Sequence, residues 1–184
     1  MEAIQKAKIL TSEDRRRIEH YLHNNDPQMC AALALVYHNF LAPLEISRIK
    51  RQDIDLRRQR IDVRLGRESH KAQISICCDV QQALIHADVE RMYHTEFLIG
   101  HKLNKSQISI GAFVKRYGDH LAQIGLSLKD AGFNILRDTG VHDLYYRRFD
   151  VQEINRLLRH ATIETTIQYL ATLGIEERSE AWEN

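Results

Sequence analysis

The sequence predicts a mainly helical α+β protein with one small antiparallel sheet. Most of the chain sets apolar residues at helical spacing between recognisable caps, and one segment alternates on either side of a glycine turn, as a β-hairpin does. A composition of 43% hydrophobic and 28% charged residues over 184 residues, with two prolines and no low-complexity run, is that of a folded globular chain. Such a length buries one good core, so a single domain over residues 1–174 is expected, followed by a polar tail over 175–184 that ends near Trp182.

Thr11, with Asp14 three residues on and Ile18, Tyr21 and Leu22 following, predicts an N-capped helix over about 12–24. Pro27 suits the first turn of a second helix, and Ala31-Ala32-Leu33-Ala34-Leu35-Val36 is apolar almost all round, as the centre of a core requires. Pro43 opens a short helix bearing Leu44, Ile46 and Ile49, with its exit at Asp53-Ile54-Asp55-Leu56. The alternation over 61–65, the turn from Gly66 to His70 and the apolar stretch 73–78 predict the hairpin. Helices over about 79–94, 106–124, 136–148, 151–158 and 163–172 follow, with an apolar piece at 97–100 and Gly132, Gly140 and Gly174 as punctuation.

No apolar run approaches the roughly 20 residues of a membrane span, and Met1-Glu2-Ala3-Ile4-Gln5-Lys6 lacks a signal peptide's apolar core, so a cytoplasmic protein with no membrane partner is expected. Cys30, Cys77 and Cys78 form neither a disulfide framework nor a zinc-ligand spacing and read as reduced core or strand residues. The net charge is only +1, yet local clusters at Arg15-Arg16-Arg17, at Arg48, Lys50 and Arg51, at Arg57, Arg58 and Arg60, and at Arg147-Arg148 offer phosphate-binding faces.

Several motifs resemble the catalytic domain of the tyrosine recombinases, the phage integrase family, over about residues 9–173. Leu10-Thr11-Ser12-Glu13-Asp14 looks like the family's opening helix start, and Phe40-Leu41-Ala42-Pro43-Leu44-Glu45 through Asp53-Ile54-Asp55 like its first arginine block. Glu45, Ile49 and Asp53-Ile54-Asp55 fix the register, which puts Ala42 where the family has its first catalytic arginine. Counting back from Ile74-Ser75-Ile76 puts Arg67 at the position of the family's general-acid lysine, with Lys71 the nearest lysine. The His-x-x-Arg motif falls on Asn134-Ile135-Leu136-Arg137, and the Leu-Gly-His motif on Leu158-Arg159-His160. Tyr169 stands at the nucleophile position.

The resemblance implies DNA strand cleavage through a phosphotyrosyl intermediate with no cofactor or metal, carried by the retained Arg137, His160 and Tyr169. It also implies three departures, at Ala42, Arg67 and Asn134. Losing one preorganised donor to a developing oxyanion typically costs about 3 to 4 kcal/mol, and an arginine that keeps its proton makes a poor general acid. The expected function is therefore a DNA-binding regulatory or architectural factor, encoded by a mobile element, whose strand cleavage is lost or impaired. An active recombinase or invertase using Tyr169 is the alternative, and a protein-interaction module that has left DNA is the third reading.

Double-stranded DNA is the expected partner, through Arg48, Lys50, Arg51, Arg57, Arg58, Arg60, Arg67, Lys71 and Arg159. Arg159 or Arg48 is the candidate to replace the missing first arginine. The family's exchange of C-terminal segments implies a homodimer or higher assembly through the tail, and a recombinase or regulatory protein is a further candidate partner. Most members also carry an N-terminal helical domain that closes a clamp round DNA; the resemblance does not extend to one here, which implies weak binding unless a dimer or partner assists. Bland readings stand beside these: Arg137 pairing with Asp138 or Glu153, His160 as a structural histidine, Glu45 and Asp53 as structural carboxylates, Arg57, Arg58 and Arg60 as a solvated turn, and Tyr145-Tyr146 with one ring packed and one exposed.

Overall fold

Asp26 sits at the joint between the first two helices, and its chemistry explains their arrangement. In a computed structural model, which describes residues 7–66, 70–101 and 106–175, α1 (Ser12–Asn25) ends where the Asp26 carboxylate caps α2 (Pro27–Asn39) by accepting from the Met29 amide at 3.1 Å. The same carboxylate takes Arg116 Nε at 2.7 Å and Nη2 at 2.6 Å, and His120 Nε2 lies 2.9 Å from it, so α5 (Ile110–Gln123) is tied to the head of α2. Burial raises this carboxyl's pKa, but the Arg116 bonds and charge, the Met29 amide and His120 outweigh it and hold it below the usual carboxylate value.

A carboxyl that titrates lower folded than unfolded contributes its full stabilisation above about pH 4, which is lost as pH falls below that. Asp26→Asn is accordingly expected to destabilise the protein by about 1 to 3 kcal/mol at neutral pH and to flatten the acid limb of stability below about pH 4. Thermal melts followed by circular dichroism over that range check both effects.

The capped helix predicted from Thr11 forms as Ser12–Asn25, with Thr11 Oγ1 accepting from the Asp14 amide at 3.0 Å. Helix α2 is the centre of the main core, with Met29, Ala31, Ala32, Leu35 and Val36 buried. It ends at Phe40, whose positive φ of 57° turns the chain into α3 (Pro43–Ile46). The sheet is three-stranded and antiparallel in the order β1 (Ile54–Asp55), β2 (Arg60–Leu65), β3 (His70–Ser75). Ile61 pairs with Ile74 and Val63 with Ala72 on the side facing the core, and Asp62 with Gln73 and Arg64 with Lys71 on the other.

Four boundaries differ from the sequence expectation. The strand expected over 73–78 stops at Ser75, because Cys77 is the N-cap of α4 (Cys78–His86); both cysteines are exposed rather than core or strand residues, and Cys30 is half buried. The helix expected to run to 94 ends at His86, since Asp88 adopts a left-handed φ of 56° and a 3₁₀ turn follows at Val89–Arg91. Helix α5 starts at Ile110 rather than 106, where Ser109 Oγ accepts from the Ala112 amide at 3.1 Å. A short α6 (Leu128–Ala131) precedes α7 (Phe133–Tyr146), and Gly132 joins them because a Cβ there would lie 2.5 Å from the Leu128 carbonyl oxygen. Tyr145 is half buried and Tyr146 exposed, the split expected of the pair.

Helices α7, α8 (Val151–Leu158) and α9 (Ile163–Thr172) bury Val141, Ile154, Leu158 and Leu170 around Phe40, a second cluster that packs under the end of α2. Among the described residues no helix is long and apolar enough to cross a membrane. Tail residues 176–184, with Trp182, lie outside the described residues, as does Arg67.

Candidate phosphate-binding site

Helix α7 sets Asn134 and Arg137 three residues apart and hence on one face, with Asp138 adjacent. Asn134 is exposed at the helix start. Neither carboxylate offered to Arg137 by the sequence takes it. Asp138 accepts a hydrogen bond from the Tyr169 hydroxyl, and Glu153 completes the capping box of α8, accepting from the Asp150 amide at 3.4 Å. The Nε of Arg137 is buried with no hydrogen-bond partner.

Helix α8 ends at Arg159 with φ 60°, a conformation that suits glycine and costs a residue with a side chain about 1 kcal/mol. The turn redirects the chain so that His160 and α9 fold back over α7. Thr162 caps α9, and the fully buried Thr166 shares its hydroxyl between Asn155 Nδ2 and His160 Nδ1, each at 2.9 Å. Tyr169, one turn beyond Thr166, meets His160 edge to face with ring centres 5.7 Å apart. His160 and Tyr169 are both half buried.

The charges agree with this convergence. Burial depresses the His160 pKa below the usual histidine value, with Arg137 and Arg159 adding to it, so the imidazole is neutral at pH 7. Burial and the Asp138 carboxylate push the Tyr169 hydroxyl well above the usual tyrosine value against the pull of Arg137. Burial also raises Asp138, opposed by the Tyr169 hydrogen bond and by Arg137. Arg159 is lowered by burial and by Arg137, with Glu45 opposing. Arg137 and Arg159 thus act on one another and on His160 in a partly dry site that also holds Asp138 and Tyr169.

Arg159 approaches the segment that precedes Ala42. Its Nη1 donates to the carbonyls of Asn39 at 3.1 Å and Leu157 at 3.0 Å, and its Nη2 to that of Phe40 at 3.2 Å. The guanidinium thereby reaches the bend between α2 and α3, two residues before Ala42. Ala42 itself is the N-cap of α3, its amide held by Glu45 Oε2 at 2.8 Å. Three of the five N–H bonds of Arg159 are used on carbonyls, leaving Nε–H and one Nη2–H, the side-on pair that fits a phosphate.

Glu45 also holds the hairpin, since its Oε1 accepts from the Gly66 amide at 3.0 Å, while Arg48 Nη1 donates to the Gly66 carbonyl at 2.7 Å. These bonds fix the start of the hairpin turn beside α3. Arg48 therefore braces the turn. Lys71 is the second residue of β3, paired with Arg64 on the outward face, so the turn is not shifted in a way that brings this lysine to its tip.

The other predicted DNA contacts fall on the segment from residue 50 to residue 60. Lys50 Nζ stands 5.0 Å over the Phe97 ring, and Arg51 Nη1 donates to the Ile54 carbonyl at 3.0 Å. Arg57 is exposed, Arg58 lies 3.9 Å from the Asp55 carboxylate, and Arg60 Nη1 donates to Gln73 Oε1 at 2.9 Å. Asp53 caps the 3₁₀ turn at Arg51–Asp53 through the Lys50 amide at 2.8 Å, a structural role like that of Glu45. A cleft of about 770 Å³ between α1, α2 and α4, lined by Ile18, Leu33, Tyr37, His38 and His86, contains none of these groups.

Spacing along the chain pointed to Arg137, His160 and Tyr169 but missed Asp138 and Thr166. Asp138 is next to Arg137, and Thr166 is one turn before Tyr169. Their roles come from how α7 and α9 face each other, which spacing along a single helix does not reveal.

Comparison with known proteins agrees with the fold. The family model described as "Phage integrase family" matches residues 8–173. No curated protein matches the chain. Among solved structures it is similar to XerA recombinase, at a TM-score of 0.75 and 18% identity over 89% of this chain and 60% of that one. It is also similar to the Tn1549 transposon integrase in complex with transposon right end DNA, at a TM-score of 0.73 and 14% identity over 92% of this chain and 63% of that one. A lambda integrase dimer bound to a COC' core site matches at a TM-score of 0.67 and 17% identity, over 97% of this chain and 51% of that one. The chain thus spans between half and two thirds of the length of these structures. With the family match running over almost its whole length, the chain belongs to the phage integrase family and has the fold of a tyrosine recombinase catalytic domain.

Proposed function

We propose that this chain binds double-stranded DNA by gripping a backbone phosphate between Arg137 and Arg159 beside His160, and that its strand cleavage is strongly impaired, leaving a regulatory or architectural role. The observation that carries the reading is the buried, unpartnered Nε of Arg137, in a site where Arg159 adds a second positive charge. A phosphate diester supplies the missing anion, with acceptors matched to both forks. The DNA complexes of the Tn1549 and lambda integrases support duplex DNA as its source.

Impairment follows from the chemistry around Tyr169. The phenol is held protonated, Asn134 offers a neutral amide in place of an imidazole, and Lys71 faces away on the hairpin. Without a general acid for the leaving oxygen the rate falls by about 10² to 10⁴. One arrangement favours the alternative of an active recombinase: the Asp138 carboxylate already accepts from the Tyr169 hydroxyl and is placed to take its proton.

A nicked-duplex trap separates the two readings. If Tyr169 is active, a pool of nicked duplexes yields a covalent protein–DNA adduct that Tyr169→Phe abolishes. The proposed function predicts salt-sensitive gel shifts with no adduct, and absence of binding at low salt would overturn it in favour of a protein-interaction module.

A further inference from the structure

We propose that His38, Cys77 and Asp79 form a binding site for a thiophilic divalent cation of the zinc type, joining the end of α2 to the start of α4. The sequence shows no such site, because its members lie almost forty residues apart and follow no zinc-ligand spacing. The fold brings them together: His38 lies in the last turn of α2, Cys77 is the N-cap of α4, and Asp79 is in the first turn of that helix. One ligand atom from each lies within 4.8 Å of the other two.

His38 Nε2 stands 3.8 Å from Asp79 Oδ2, too far for a hydrogen bond. Around a tetrahedral zinc, with bonds of about 2.0 to 2.3 Å, neighbouring ligand atoms lie roughly 3.4 to 3.6 Å apart, so small side-chain rotations complete the set. The His38 side chain is only 21% exposed and its ring stands edge-on to Tyr37, with centres 4.8 Å apart, which fixes the direction of the imidazole. Asn39 Nδ2 donates to the Ser75 carbonyl at 2.8 Å, so the chain leading from β3 to Cys77 is anchored to the same end of α2.

The donor chemistry selects the ion. A thiolate with an imidazole suits zinc or cobalt over magnesium or calcium, and the carboxylate is a common third ligand that leaves a fourth position for water. A helix N-terminus favours the thiolate form of its capping cysteine but disfavours a cation. One thiolate and one carboxylate bring a divalent ion to zero net charge, which removes that objection. Bound metal would stiffen the end of α2 that presents the Asn39 and Phe40 carbonyls to Arg159.

Titrating the full chain with Co²⁺ tests the proposal. One equivalent should produce a thiolate-to-cobalt charge-transfer absorption that Zn²⁺ removes, and Zn²⁺ should raise the thermal midpoint. Cys77→Ser and His38→Ala should each weaken binding by about a hundredfold or more, beyond most outer-shell changes, while Cys78→Ser and Cys30→Ser should leave it intact. No charge-transfer absorption at stoichiometric Co²⁺, or one that survives in Cys77→Ser, would overturn the assignment. Neither readout depends on DNA.

Discussion

Arg137→Ala is expected to weaken the binding of duplex DNA by about 10- to 100-fold, the loss of one or two charge-assisted hydrogen bonds of about 1.5 to 3 kcal/mol in all. Fold stability is expected to stay level or rise. The substitution removes a buried Nε that has no partner, and the repulsion of Arg159 that it relieves offsets the attraction to Asp138 that it loses. A residue that stabilises the fold would behave in the opposite way. Fluorescence anisotropy on a labelled duplex and thermal melts of the free protein together decide between the roles, since a destabilised variant with unchanged DNA affinity would make Arg137 structural.

Gly140→Ala should bring the largest loss of stability, about 3 kcal/mol or more, because overpacking against rigid backbone exceeds the usual cost of a misfitted side chain. A Cβ at this position would lie 2.1 Å from the Tyr37 carbonyl oxygen and 3.2 Å from the Phe40 ring. Neither α2 nor α7 can yield without moving the other. The same close approach holds the carbonyls of Asn39 and Phe40, at the end of α2, against the helix that carries Arg137 and Asp138. DNA binding should therefore fail together with folding in this variant, whereas Arg137→Ala separates the two. Denaturant unfolding of Gly140→Ala checks the magnitude, and a midpoint equal to that of the parent would refute the packing.

Much of this fold was legible in the chain. Thr11 with Asp14, the all-apolar stretch after Pro27 and the alternation of Ile61, Val63 and Leu65 each carry a local physical reason for their structure, and each forms close to its expected place. The misplaced boundaries fall where local signals compete. Cys77 and Cys78 look like strand residues by their neighbours, but the hairpin pairing ends at Ser75 and the chain is free to begin a helix.

At the site, the spacings of Arg137, His160 and Tyr169 identified the elements that converge. What the sequence left open was the orientation of long side chains. Arg48 and Arg159 both looked able to reach the space beside Ala42. The difference lies in Gly66, whose carbonyl takes Arg48, and in the left-handed turn at residue 159, which aims the second guanidinium at the end of α2. A left-handed arginine at a glycine position looks like a defect in the motif when read alone. In three dimensions it is the means by which a guanidinium reaches the bend at Ala42.

The proposed grip on DNA makes Arg159 the second phosphate-binding guanidinium, the one that Ala42 cannot supply. Its sharpest test is the affinity of Arg159→Gly for duplex DNA across a salt series, since glycine suits the φ of 60° and leaves the backbone of the turn unstrained. Affinity is expected to fall by about tenfold at moderate salt, and the slope of log affinity against log salt to shrink by about 0.9, as when one phosphate fewer is neutralised. An affinity and slope equal to those of the parent, in a variant that remains folded, would contradict the role of Arg159.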